Sequence, residues 1–257
     1  MNHITLGFLA SLIAGCATGI GAIPVLFFRK QHFSHRLKDL LLGFAAGVML
    51  AATAFSLLVP AIAIGGVWIA VIGIIIGALL LDGVDKAIPH EHFEMGREGA
   101  SSNLRRIWLF VLAVTIHNFP EGIVTFLAAL QEPKLGVAIA IAVALHNSPE
   151  GIRVSVPIFY ATGNRKKAFL YSVASGLAEP LGAILTFGLI LLFAGEASAS
   201  VPQQMTGIMF GAVAGVMVYI SVDELLPISR SYGRGHDSIL GLMAGMALMA
   251  LSLLLLR

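Results

Sequence analysis

The sequence predicts an all-α integral membrane protein, in which eight transmembrane helices form inverted repeats around a metal site at the middle of the membrane. Three observations indicate this fold class. First, 58% of the 257 residues are hydrophobic and only 12% are charged, whereas a soluble domain carries about 25% charged residues. Second, eight stretches are apolar and long enough to cross a bilayer. Third, two segments recur within the chain. The composition therefore excludes an ordinary cytosolic enzyme.

The length of each apolar stretch predicts the helices, because about 20 apolar residues cross the hydrocarbon core as a helix. The first apolar run lacks the basic region and cleavage signature of a signal peptide, so it is interpreted as a transmembrane helix. Residues 40–81 carry no charge and must contain a turn, for which Pro60 and Gly65–Gly66 are the best candidates. The predicted helices run at about 4–28, 38–59, 66–86, 105–130, 134–160, 168–194, 201–226 and 238–256. They form a single domain, 1–257, with a cytoplasmic loop at 87–104.

The distribution of basic residues predicts the orientation, because Lys and Arg mark cytoplasmic loops. The loops after the first, third, fifth and seventh predicted helices hold 13 of the 16 Lys and Arg residues. The opposite side has only Lys134 and Arg257, and Arg153 lies inside the fifth helix. We therefore expect a multi-pass protein of the plasma membrane (the cell's inner membrane) with both termini outside the cytoplasm. The formal net charge of +2 is too small to indicate a nucleic-acid partner.

The stronger internal repeat is a seven-residue segment. Residues 117–123 (HNFPEGI) recur 29 positions later as residues 146–152 (HNSPEGI), with one mismatch. The two copies fall near the middles of the fourth and fifth predicted helices, which run antiparallel. They are therefore expected to face each other at one depth in the membrane.

A weaker repeat links residues 42–49 with residues 210–217, which are identical at five of eight positions at an offset of 168. Thr53 then corresponds to Ser221, and Ser56 to Glu224. Since the two helices run in opposite directions, the pattern is typical of the inverted repeats of secondary transporters. The alternative is that both segments are simply faces of small residues that pack helices together.

Ionisable groups cluster in the middle of the predicted membrane segments. His117 and Glu121 are four residues apart and share one helical face, and His146 and Glu150 repeat that spacing. Glu179 adds a third carboxylate from the sixth helix. An ionisable group at this depth costs at least about 2.5 to 3.5 kcal/mol, so it persists where it pairs or binds an ion. Imidazole and carboxylate ligands suit zinc, iron(II) or manganese.

Further polar groups surround this cluster. Each of the three glutamates is adjacent to a proline, which removes a helical hydrogen bond and frees a nearby carbonyl. Asn118 and Asn147 follow the two histidines and offer amide oxygens, and Ser175 belongs to a polar stripe on the sixth helix. A single buried His near a Glu is more often a structural pair than a metal ligand. Two copies on antiparallel helices, joined by Glu179, favour a metal site.

The paired HNxPEG segments, the segment Ala178–Pro180 and the segment Ser221–Leu225 resemble the ZIP (Zrt/Irt-like) family of divalent-metal transporters. The resemblance covers all eight predicted helices. It implies uptake into the cytoplasm, commonly of zinc and with tolerance of iron, manganese, cobalt and cadmium, so the metal is cargo and no cofactor is expected. It also implies a metal site that is often binuclear, with these residues as ligands: His117, Glu121, His146, Glu150 and Glu179, with Asn118 and Asn147 at the adjoining position.

The sequence departs from the family pattern in two places. Family members often carry a carboxylate near the end of the second helix, where this chain has Ser56. The fifth helix usually continues with small neutral residues, whereas here Arg153 follows on the arc that faces the site. Arg153 either snorkels or pairs on the inner half of the helix, or it is directly involved in the metal site. Ser175, Glu224, Arg153, His90 and His92 are assigned to the pathway, although a solvated polar loop also explains the last two.

Three function classes were weighed against these motifs and this resemblance. A metal transporter working by alternating access is the first, and a metal-gated channel or sensor is the second. An intramembrane metallohydrolase is disfavoured, because the sequence has no HExxH motif and a catalytic metal needs an open position beside a general base. We therefore expect no enzymatic activity. The expected partners are divalent metal ions, the lipid bilayer and, as a homodimer, a second copy of the chain.

Overall fold

The computed structural model describes residues 2–27, 34–87, 100–194, 202–230 and 236–255, and these ranges are helical with no β-strand. Three of the long helices are interrupted by a π-helical or bent segment, so one membrane crossing can contain two named helices. The elements are α1 (His3–Ala22) with a 3-10 turn (Ile23–Leu26), α2 (His35–Ala52), a π-helical segment (Thr53–Leu58), α3 (Val59–Gly65), α4 (Val67–Ala87), α5 (Ala100–Gln131), α6 (Pro133–Thr162), α7 (Arg165–Gly176), α8 (Ala178–Ala194), α9 (Gln203–Ile220), a second π-helical segment (Ser221–Leu225), α10 (Leu226–Ser229) and α11 (His236–Leu255).

Within the described residues, seven segments are long and apolar enough to cross a membrane. Many of their large apolar side chains point outward, as on α4, where Trp68 is 80% exposed. Such a surface is expected where the solvent is lipid rather than water. The segments are His3–Leu26, Asp39–Gly65, Val67–Val84, Pro133–Phe159, Arg165–Leu192, Gln203–Asp223 and His236–Leu254.

The second predicted helix continues farther than expected. It was predicted to end at residue 59, before Pro60, but the chain stays helical as far as Gly65. The π-helical segment just before Pro60 has a wider helical turn, which accommodates the proline without ending the helix. The turn to α4 falls at Gly66, whose φ of +85° favours glycine.

Other helix boundaries differ from the predicted ones for local reasons. The sixth predicted helix, 168–194, is divided into α7 and α8 at Leu177, three residues before Pro180. It begins earlier, at Arg165, because Asn164 caps it and accepts a hydrogen bond from the backbone of Lys167 at 2.9 Å. α5 begins at Ala100, inside the predicted loop 87–104, and residues 88–99 of that loop lie outside the described residues.

The helices pack in two groups. In the first group, α1, α5, α6, α7 and α8 contact one another, with α1 against α6 and α5 against α8 as the most extensive pairs. In the second group, α2 packs against α11 and α4 packs against α9. The groups meet where α2 contacts α6. The helices approach closely at glycines: a Cβ at Gly151 would overlap the carbonyl oxygen of Thr18 on α1.

The two π-helical segments resemble each other. They begin at Thr53 and Ser221, which are separated by 168 residues, the offset of the weaker sequence repeat. In each, the hydroxyl donates a hydrogen bond to the carbonyl four residues earlier: Thr53 to Met49 at 2.8 Å and Ser221 to Met217 at 2.7 Å. The two segments therefore share one local geometry.

Candidate metal site

The two histidine motifs meet at the contact between α5 and α6. A single residue, Glu132, separates these helices, so they form a tight hairpin and run antiparallel. Both helices continue through the proline of their motif. The motifs cross: His146 lies beside Glu121, and His117 lies beside both Glu121 and Glu150.

The distances between these groups are short and the groups are buried. The Nε2 atom of His146 lies 2.8 Å from Oε1 of Glu121. The Nε2 atom of His117 lies 3.4 Å from the same oxygen and 3.5 Å from Oε2 of Glu150. All four side chains are at most 5% exposed. Glu121 therefore contacts both imidazoles at a depth that water hardly reaches.

This geometry suits one small cation. Ligand atoms of His117, Glu121 and His146 all lie within 4.8 Å of one another. Zinc bonds of about 2.0 to 2.2 Å in a tetrahedral site put neighbouring ligand atoms about 3.3 Å apart. The separations of 2.8 to 3.5 Å between the histidines and the glutamates bracket that value. Small side-chain movements are therefore sufficient to place a dication between the ligands.

A second group of polar side chains adjoins the first. Glu179, in the first turn of α8, is completely buried and accepts a hydrogen bond from Nδ2 of Asn147 at 2.5 Å. The same Nδ2 atom donates to the carbonyl oxygen of Ala14 at 2.8 Å. Asn147 therefore links α1, α6 and α8 at the level of the site.

Several buried oxygens of the two groups have no hydrogen-bond partner among the described residues. They are Oδ1 of Asn118, Oδ1 of Asn147, Oε2 of Glu121 and Oε2 of Glu179. A buried polar atom without a partner costs about 1 to 3 kcal/mol, so such atoms are usually satisfied by a water or an ion. These acceptor oxygens are therefore candidate partners for a cation or an ordered water.

A small cavity adjoins the histidines where the two helical groups meet. Its volume is about 10 Å³, which is room for about one water molecule. Polar and apolar side chains share its wall. The lining residues are Leu42, Ala45, Met49, His117, His146, Pro149, Glu150, Arg153 and Leu225.

The remaining residues assigned to the pathway fall in different places. Ser175 is buried, and its hydroxyl donates to the carbonyl of Ser172 on its own helix at 2.9 Å. Glu224 lies in the second π-helical segment, where its side chain is not described. His90 and His92 lie outside the described residues. Of this set, the structure brings Arg153 to the cavity beside the histidines.

Two features near the site are not indicated by the sequence. One is the carbonyl of Ala14, which becomes a partner of Asn147 only through the packing of α1 against α6. The other is an aromatic cluster that joins α1, α5 and α8, with ring centroids 4.8 to 6.1 Å apart. Its members, Phe8, Phe126 and Phe187, are far apart in sequence. Their contact therefore becomes predictable only when the relative positions of α1, α5 and α8 are known.

Comparisons with known proteins agree on one family. The family described as ZIP Zinc transporter matches residues 81–253. The zinc transporter ZupT of Chlorobium chlorochromatii is 43% identical, over 99% of this chain and 98% of that protein. Its namesake in Clostridium perfringens is 42% identical, over 99% of this chain and 97% of that protein. The zinc transporter ZupT of Oceanobacillus iheyensis is 44% identical, and the match covers 100% of both chains.

Proposed function

The chain belongs to the ZIP zinc transporter family, and we propose that this multi-pass membrane protein carries zinc and related divalent metals into the cytoplasm. The observation that carries the proposal is the buried cluster of His117, Glu121 and His146, whose ligand atoms lie within 4.8 Å of one another. An ionisable cluster at this depth is costly unless it has a charged occupant. The relatives named as zinc transporters support zinc as the cargo, and iron, manganese, cobalt and cadmium are further candidates.

Each ligand has a distinct part in the proposed site. The Nε2 atoms of His117 and His146 approach from opposite helices, and Glu121 lies between them and contacts both. Glu150 supplies a fourth ligand through the oxygen that lies 3.5 Å from His117. Two neutral imidazoles and two carboxylates neutralise one dication, which suits a region of low dielectric constant.

In our proposal, the adjoining position binds a cation less tightly than the position between the histidines does. Asn118, Asn147 and Glu179 each have a buried acceptor oxygen without a described partner, but amides carry no charge. The carboxylate of Glu179 is already engaged by the amide of Asn147. This position therefore serves as a hydrogen-bonding shell or as a second, less tightly bound ion.

We also propose eight membrane crossings. α5 has 32 residues, which corresponds to about 48 Å at 1.5 Å per residue, whereas the hydrocarbon core is about 30 Å thick. It would add an eighth crossing to the seven apolar segments. An even number of crossings places both termini on one side, and the excess of basic residues on the other side favours termini outside the cytoplasm.

The direction of transport follows from the same topology. Arg153 lies one turn beyond Glu150, toward the side with the basic loops. The cavity therefore extends from the histidines to the proposed cytoplasmic half of the protein. We place Ser175 and Glu224 along the pathway, and His90 and His92 at its cytoplasmic end.

A carrier is favoured over a channel by the relatives, which are named as transporters. A metallohydrolase is less consistent with the site, because Glu121 and Glu150 lie at ligand distance from the histidines and the adjoining Glu179 is engaged by the amide of Asn147.

Uptake into liposomes tests the proposed function. Purified protein is reconstituted and offered zinc, iron(II), manganese, cobalt or cadmium, and the metal inside the vesicles is counted. We expect saturable zinc accumulation that depends on Glu121 and is retained by Glu132→Gln, which changes an exposed carboxylate at the α5–α6 turn. A rate that rises linearly with metal concentration would favour a channel, and no accumulation of any of the five metals would contradict the proposal.

A further inference from the structure

Arg153 brings a permanent positive charge to the proposed cation site. It lies on α6, three residues after Glu150 and seven after His146, so the three share one helical face. Its side chain lines the same small cavity as His117 and Glu150. An arginine guanidinium keeps its charge in proteins, so any cation in this site encounters a fixed neighbouring charge.

Arg153 is half-buried, and part of its side chain lies beside the site. A snorkelling arginine carries its charged end along apolar surface to the water at the membrane boundary. Here the Nε atom is shielded from solvent, and the side chain forms part of the cavity wall beside the metal-ligand candidates. The guanidinium therefore belongs to the electrostatic environment of the site.

We propose that Arg153 is a specificity-determining residue that lowers the affinity of the site for its dication and accelerates release of that ion toward the proposed cytoplasmic side. This inference rests on the proposed transport function. The guanidinium repels the bound dication and competes with it for the carboxylate of Glu150. Both effects weaken binding, and the guanidinium can take over as the counter-ion of Glu150 when the metal leaves.

The test compares the zinc content of purified full-length variants in lipid nanodiscs. Zinc per protein is measured by mass spectrometry, and affinity is measured by competition with a chelator. Arg153→Gln should bind zinc about tenfold more tightly than the unmodified protein does, and its uptake should show a lower KM and a lower maximum rate. Arg153→Lys retains the charge and should behave as the unmodified protein does.

Two controls separate the inference from the proposed function. Lys166→Gln removes one positive charge from an exposed position outside the cavity and should change neither stoichiometry nor affinity. Glu121→Gln should bind little zinc. If the unmodified protein binds no zinc, or Glu121→Gln binds it normally, the proposed function fails. If both behave as expected but Arg153→Gln matches the unmodified protein, the role of Arg153 is wrong.

Discussion

Replacement of Glu121 by glutamine is the sharpest test of the site, because Glu121 contacts both histidines. Its Oε1 atom lies 2.8 Å from His146 and 3.4 Å from His117, and the side chain is completely buried. Glutamine has nearly the same shape but no charge. The substitution therefore removes one charged ligand and leaves the packing of α5 against α6 in place.

The effect on the free energy of unfolding should be small, because two contributions oppose each other. Removal of an ionised group from this depth relieves about 2.5 to 3.5 kcal/mol. Loss of the charged hydrogen bond to His146 costs about 1.5 to 3 kcal/mol. The two contributions differ by at most about 2 kcal/mol. Zinc affinity has no such compensation. Removal of a residue that only hydrogen-bonds to a metal ligand costs about 10- to 100-fold in affinity, so loss of a ligand itself should cost at least about 100-fold.

The expected result is therefore a folded protein that does not transport. Thermal unfolding in detergent should give a midpoint close to that of the unmodified protein, while zinc uptake into liposomes falls to background. Glu150→Gln should behave in the same way, and Glu132→Gln should retain full uptake. Normal zinc uptake by Glu121→Gln would falsify the site. A variant that transports nothing because it no longer folds would contradict the energy balance above.

Two further predictions concern topology and helix packing. In a single-cysteine accessibility scan with Cys16 replaced, a cysteine at Glu132 should be labelled from outside and a cysteine at His92 should not; the opposite pattern would reverse the proposed direction of transport. On α4, Gly77→Ala places a Cβ onto a backbone carbonyl oxygen of α9 and should lower the unfolding free energy by about 1 to 3 kcal/mol, measured as a lower thermal midpoint. Gly83→Ala, on the same helix, meets no described atom within 4 Å and should change it by no more than about 0.5 kcal/mol; equal midpoints for the two variants would show that the α4–α9 contact is not close.

The sequence was sufficient to predict which residues share a helical face. His117 and Glu121 are one turn apart, as are His146 and Glu150, and helix geometry alone places each pair together. The sequence repeat then placed both pairs at one depth. It did not show that the motifs cross, with Glu121 between the two imidazoles, since that arrangement depends on how α5 and α6 are aligned along the hairpin.

Features that depend on contacts between distant segments were beyond prediction from sequence. The hydrogen bond from Asn147 to the carbonyl of Ala14 forms because α1 packs closely against α6. That partner is a backbone carbonyl, and backbone carbonyls leave no signal in the residue types. The predicted helix end at residue 59 is wrong for a local reason, because the π-helical segment before Pro60 lets the helix continue.

The π-helical segments give the weaker repeat a physical basis. Pro60 and Pro227 each follow one of these segments within a turn. Because proline lacks an N–H and crowds the carbonyl four residues earlier, the helix before it widens. The hydrogen bonds across five residues, from Val59 to Ala54 and from Leu226 to Ser221, show this widening directly. Packing of small residues alone does not explain why both helices have such a segment at the same offset.

The contacts between helices follow the same offset, and they distinguish an inverted repeat from two unrelated packing faces. If a two-fold axis relates the halves, adding 168 to one residue of a contact and subtracting 168 from its partner must give another contact. Gly77 packs against the carbonyl of Ala212, and this transformation predicts a contact between Gly245 and Phe44, which is present. Unrelated small-residue faces have no reason to obey such a rule. The contacts thus support the proposed inverted repeat, and they imply that α2 with α11 and α9 with α4 are equivalent helix pairs that pack against the group carrying the metal site.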